Sequence, residues 1–170
     1  MRILIALTYY RPHTSGLTIY AERLGRGLAQ RGHQVTVLTS HYDRSTPLEE
    51  MKDGVRVVRV PVAFRISKGV IMPTIGFVAW RLVWENDVVC LHLPQFDAAG
   101  IAGRGWLLGK PTTLTYHCDL KLPFGPFSTL VNRIVDGANY LAGLFADRVV
   151  AYTDDFATHS PYLSLSLIHI

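Results

Sequence analysis

The apolar positions near the start of the chain change period twice. Ile3 to Leu7 is an unbroken apolar run of strand length. A polar turn follows and ends at Ser15-Gly16. Leu17, Tyr20, Ala21, Leu24 and Leu28 then recur at i, i+3, i+4 and i+7, which is one face of a helix reaching about Arg31. Gly32 stands at the usual C-terminal stop, and Val35 to Leu38 reads as a second strand. Strand, loop, helix and strand make the opening βαβ unit of a doubly wound α/β fold with a mostly parallel, Rossmann-like sheet.

The same alternation continues along the chain. Thr39 to Asp43 leaves the second strand as a loop, and Gly54 precedes a third strand, Val55–Val60, with Arg56 and Arg59 as polar interruptions. Pro61 to Pro73 reads as irregular, with Phe64, Arg65, Lys68 and Met72 mixing basic and apolar groups. A helix is expected from Pro73 to Val83 or Trp84, a strand buried on both faces at Asp87–Leu93, and a small-residue helix over Phe96–Leu108. Thr112–His117 is the fifth strand, Leu120–Phe127 a loop, and Ser128 the cap of a helix with Leu130, Val131, Ile134, Val135, Ala138, Leu141, Ala142 and Phe145 on one face. Arg148–Tyr152 is the sixth strand, and Thr153 caps a short helix through His159. No hairpin turn is evident on this reading, so the strands are joined by crossovers. Leu163 to Ile170 alternates with period two and reads as a terminal strand or as a non-native extension. The expectation is one domain over residues 1–163, with a tail of 164–170.

Composition narrows the partners. The chain has 170 residues, 49% hydrophobic and 18% charged, which suits an ordered globular domain. Its net charge of +4 suits an anionic ligand, an anionic membrane surface or simply a slightly basic solvated face. No basic stripe interleaved with aromatics suggests nucleic acid. Cys90 and Cys118 are too far apart in sequence to signal a metal clip and read as buried thiols in a reducing cytoplasm. The apolar start is too short for a signal peptide, and no stretch reaches transmembrane length.

Candidate chemistry gathers at strand ends. A helix start at Ser15-Gly16 offers backbone N–H groups and a dipole to an anion, typically phosphate, or Gly16 only shapes the turn. With one glycine in that loop, and Gly25 and Gly27 in mid-helix, a G-x-G-x-x-G dinucleotide site is not indicated. His117 closes the fifth strand ahead of Cys118 and Asp119, and His92 ends the fourth, followed by Pro94 and Gln95. In a doubly wound sheet these ends share one crevice with Gly16, where a histidine binds a hydroxyl or phosphate or merely ties down a loop. No metal-ligand spacing and no G-x-S-x-G nucleophile elbow occurs.

Met1-Arg-Ile-Leu-Ile5, the turn from Pro12 to Ser15-Gly16, Glu22 through Leu38, Asp87 through Pro94, Lys110 through Leu120 and Ala146 through Thr153 together resemble the start of a family 4 glycosyltransferase. The resemblance implies the type-B architecture of two Rossmann-like domains facing a cleft, of which this chain is the first, acceptor-side domain. It puts the diphosphate loop on Ser15 and Gly16, where a Gly-Gly pair is usual and Ser15 is a departure. It puts the histidine near the donor sugar and the reaction centre on His117; the strand ends themselves supply His92, Gln95 and Asp119 as further substrate-binding candidates. It implies retaining transfer from a nucleotide-diphosphate sugar to a sugar or lipid-linked acceptor, no metal cofactor, and a setting in the cytoplasm or at the inner face of the membrane. The second domain, carrying most donor contacts, is expected on a continuation or a separate chain, so the isolated chain is expected to be inactive. A nucleotide-sugar epimerase and a non-catalytic Rossmann module binding a partner chain are the alternatives, with a dehydrogenase more distant.

Overall fold

The computed structural model describes residues 1–66, 69–118, 126–151, 153–160 and 162–163. The opening unit forms as its pattern dictates: β1 (Arg2–Ala6), α1 (Gly16–Gln30) and β2 (Gln34–His41). β1 shows why a parallel strand reads as a continuous apolar run. Leu4 and Ala6 point into one core, and Ile3 and Ile5 into a second core on the opposite face. Leu17, Ala21, Leu24 and Leu28 of α1 close that second core, with Val35, Val37, Val55 and Val57 beneath them.

β3 (Glu49–Lys52) and β4 (Val55–Pro61) form a hairpin, which corrects the expectation that none was present. Asp53 and Gly54 both have positive φ, 52° and 78°, the backbone that a two-residue hairpin turn requires. β3 is polar and largely exposed, so no apolar alternation announced it. The stretch expected to be irregular holds a second small hairpin, β5 (Phe64–Ile66) with β6 (Gly69–Ile71). α2 (Ile75–Glu85), β7 (Val88–Leu93), α3 (Ala98–Leu107), β8 (Thr112–Tyr116), α4 (Pro126–Phe145), β9 (Arg148–Val150) and α5 (Asp154–His159) complete the described elements.

The main sheet has the order β3-β4-β2-β1-β7-β8-β9, parallel throughout except for the edge strand β3. It is the mostly parallel α/β sheet expected. α1 lies on one face, and α2, α3 and α4 contribute to the core of the other. A Cβ on Gly105 of α3 would lie 2.3 Å from the Thr112 hydroxyl of β8, so glycine there permits close helix–strand packing.

Two corrections concern α4. The helix starts at Pro126, so Ser128 lies inside it; proline suits a first helical position because the N–H it lacks has no intrahelical acceptor there. Its buried stripe is Val135, Asn139 and Ala142, whereas Ile134 and Leu141 are 57% and 48% exposed. Tyr162 donates from its hydroxyl to the Asn139 carbonyl at 2.9 Å beside that stripe. Ile134 and Leu141 belong to an outer layer rich in apolar groups, with Phe77, Trp80 and Trp84 on α2 and Trp106 and Leu107 on α3 also exposed. Residues 164–170 lie outside the described part of the chain.

Candidate active site

β1, β7 and β8 are adjacent, so their carboxyl ends form one ledge. The loop after β1 is held firmly onto it. Thr8 supplies its carbonyl to the Ser40 hydroxyl at 2.6 Å, the Ser40 N–H at 3.1 Å and the Thr39 hydroxyl at 3.1 Å. Arg59 is 5% exposed, and its guanidinium donates to the carbonyls of Pro47 and Arg11 at 2.9 and 3.2 Å and pairs with Glu50. What the sequence presented as a polar interruption of a strand is thus a buried clamp on the loop.

That loop delivers Ser15 as the N-cap of α1. Its backbone is extended (φ −151°, ψ 167°), and its Oγ accepts the Thr18 N–H at 3.2 Å. The N–H groups of Gly16 and Leu17 have no intrahelical acceptor, as at any helix start. A Cβ on Gly16 would meet nothing within 4 Å, so the space over this turn is open.

The open space belongs to a cavity of about 910 Å³ lined by Ser15, Gly16, Leu17, Gln95, His117 and Cys118, among others. Gly16 and His117 therefore face the same hollow at the carboxyl edge of the sheet. Gln95 is 5% exposed, and its Oε1 has no hydrogen-bond partner although it borders the cavity. His117 follows β8, and its N–H donates to the Leu93 carbonyl at 3.2 Å. His92 does not line the cavity. It is 1% exposed and stands behind His117, with 2.9 Å between His92 Nδ1 and His117 Nε2. Burial pushes the His117 pKa down to about 4; burial, then the proximity of His117, pushes His92 down to about 3. Both rings are therefore neutral near pH 7. Asp119 lies outside the described residues.

No local pattern pointed to the aromatic part of the lining. Tyr9 and His13 stack at 4.9 Å, Tyr42 meets both edge-on, and the Arg65 guanidinium lies 5.9 Å over the Tyr42 ring. All four line the same cavity. They come from three separate loops or hairpins, so only the fold brings them together. Among the described residues, no group of His, Cys, Asp or Glu is arranged to hold a metal ion.

The chain has relatives among known proteins. A family model described as a glycosyl transferase 4-like domain matches residues 15–160. The chain is 28% identical over 126 residues to a GDP-mannose-dependent alpha-mannosyltransferase of Mycolicibacterium smegmatis, covering 71% of this chain and 33% of that protein. Its fold is similar to that of sucrose-phosphate synthase from Thermosynechococcus elongatus, with TM-score 0.66, 15% identity, and coverage of 99% of this chain and 47% of the other. It is also similar to MurG of Acinetobacter baumannii, with TM-score 0.54, 17% identity, and coverage of 88% and 40%. The chain thus spans about a third of the curated relative and less than half of either solved structure.

Proposed function

Because the chain belongs to the glycosyl transferase 4-like family, we propose that it is the acceptor-side domain of a retaining transferase that moves a sugar from a nucleoside diphosphate to a sugar or lipid-linked acceptor. One observation carries this reading: the α1 start at Ser15-Gly16 and the neutral ring of His117 open onto a single cavity at adjoining strand ends. In such a transfer the bond from the sugar's anomeric carbon to the phosphate oxygen breaks. Positive charge grows on the sugar ring, and negative charge grows on the departing diphosphate. The amides of Gly16 and Leu17, at the positive end of the α1 dipole, suit the second charge. Neutral His117 supplies a hydrogen bond to a sugar or phosphate oxygen without placing a like charge beside the cationic sugar. Gln95 stands in the cavity wall with its Oε1 buried and unpartnered. The aromatic wall of Tyr9 and Tyr42 offers an apolar face to the acceptor.

The guanidinium that lines the cavity, Arg65, is held against Tyr42 and is not assigned to the diphosphate, and the reading invokes no metal. The remaining donor contacts come from a second domain, on a continuation of this chain or on a separate one. The isolated 170-residue chain then binds nucleotide sugar weakly and turns none over. Release of nucleoside diphosphate or transfer of label by the purified chain would refute this. Formation of an altered sugar from donor alone would favour an epimerase.

A lipid-linked acceptor places the chain in the cytoplasm against a membrane face. The outer layer supports that setting, because all three tryptophans, Trp80, Trp84 and Trp106, are 47% or more exposed there. Among the described residues, no helix is long and apolar enough to cross a membrane. Co-sedimentation with anionic vesicles at low salt is the expected result, and its absence removes the membrane part of the reading.

A further inference from the structure

The two imidazoles at the ends of β7 and β8 do more than lie close. Their ring centroids are 5.1 Å apart, and Tyr20 meets both rings edge-on, at 5.6 Å from His92 and 5.3 Å from His117. A hydrogen bond between two neutral imidazoles needs one proton on the shared line, so one ring donates and the other accepts. The far side of His92 decides which. His92 Nε2 is buried with no hydrogen-bond partner. If the His92 proton sat there, the core would hold a donor N–H with nothing to receive it. If a lone pair sits there instead, the core holds only an unfilled acceptor. Orphaned buried N–H groups are the rarer of the two in folded proteins. The favoured arrangement therefore puts the His92 proton on Nδ1, facing His117.

We infer that His92 donates from Nδ1 to His117 Nε2 and thereby fixes His117 as the Nδ1–H tautomer, which makes His92 a positioning residue for the ring that lines the cavity. The Nε2 lone pair of His117 is then occupied, so this ring is not available as a proton acceptor through that atom. Nδ1 is its donor. With both rings neutral near pH 7, His117 acts as a dipolar hydrogen-bond donor of fixed orientation and not as a cation or a general base. That the donor serves an oxygen of a nucleotide sugar rests on the transferase reading; the tautomer itself belongs to the unliganded chain.

The test is a two-bond ¹H–¹⁵N correlation spectrum of the chain labelled with ¹⁵N-histidine, recorded at pH 7.5 without ligand. Both His92 and His117 are expected with a pyrrole-type Nδ1 and a pyridine-type Nε2. In His92→Leu the donor is gone, and His117 should shift severalfold towards the Nε2–H form that free imidazole prefers. In His92→Asn the side-chain amide takes the place of Nδ1, and the Nδ1–H form of His117 should return. A wild-type His117 protonated on Nε2 overturns the inference, as does an unchanged tautomer in the leucine variant. Should the leucine variant fail to fold, the wild-type spectrum alone decides. A transferase assay that failed would leave this spectrum unchanged, so the two readings stand or fall separately.

Discussion

At the amino end of the sheet two aspartates repeat one device, and at the carboxyl end a third aspartate is left without it. Asp87 accepts the Arg2 N–H at 2.8 Å and returns its own N–H to the Arg2 carbonyl at 2.8 Å, while the Arg2 guanidinium adds bonds of 2.6 and 3.1 Å. Asp147 does the same to Thr112, at 2.7 Å to its carboxylate and 2.8 Å back. Each carboxylate thus finishes the ladder between neighbouring strands, β7 with β1 and β9 with β8. Even the hollow at this end, about 460 Å³, is bordered by Arg56 and Glu85, which pair with each other at 3.3 Å. At the carboxyl end Asp97 stands at the N-cap of α3 without a side-chain cap bond, and burial pushes its pKa up to about 6 against the opposing pull of Arg104. Gln95 Oε1 and His92 Nε2 lack partners there too. The strand-closing carboxylates of the amino end are paired, whereas Gln95 Oε1 and His92 Nε2 at the carboxyl end are not; among the described residues Arg104 Nε on α3 and Asn139 Oδ1 on α4 are also buried without a partner. Of these residues only Gln95 lines the cavity, which makes it the one whose unmet bonding bears on function.

This contrast makes different predictions for the two ends. The largest effect belongs to the carboxyl end: His117→Ala in the complete transferase should lower the rate on the order of 10²–10³-fold, as loss of a transition-state donor does, and should also cost about 1–3 kcal/mol of stability because the buried His92 N–H loses its acceptor. At the amino end Asp147→Ala should act on stability alone. The buried Thr112 N–H loses its acceptor, so urea unfolding should show a loss of about 1–3 kcal/mol, while nucleotide binding holds.

Next come the aspartates of opposite shift. Asp87 is held down to about 2, chiefly by its hydrogen bond from Arg2, so its contribution is present above the ordinary carboxylate pKa and fades as pH falls from about 4 towards 2. Asp97 is raised, so its charge weakens the fold increasingly as pH rises from about 4 through 6. In stability–pH profiles, Asp87→Asn should therefore cost stability above pH 4 and converge on wild type in stronger acid. Asp97→Asn should stabilise on the order of 1 kcal/mol at pH 7 and approach neutrality below pH 4. The smallest effect is at the cap: Ser15→Ala should cost about 1 kcal/mol, and Ser15→Gly, which restores the pair usual in the family, only a few tenths.

Legibility in the sequence followed physical range. β1, α1, β2 and the ends of β7 and β8 were readable because period, cap and stop residues act within a few positions. The β3–β4 hairpin was announced by Asp53-Gly54 but masked by the polarity of Glu49 to Lys52, which bury little. α4 carries two overlapping apolar stripes, and only contact with α3 and the sheet selects the one containing Asn139 over Ile134 and Leu141. That Ser15, Gly16, Gln95 and His117 would come together at one cavity was legible because strand ends predict where loops gather. The burial of His92 behind His117, the Arg59 clamp and the Tyr9–His13–Tyr42 wall arise from contacts between distant segments, which no local pattern encodes.

On the transferase reading the carboxyl edge, at the α1 start and His117, receives a nucleoside diphosphate. Amide chemical-shift mapping of the ¹⁵N-labelled chain during titration with GDP at millimolar concentration puts this to the test. Saturable shifts should cluster at Ser15, Gly16, Leu17, Gln95 and His117 and spare Arg2, Asp87 and Asp147. Shifts centred on the Arg2–His33–Arg56 hollow at the amino end, with the α1 start unmoved, would contradict it.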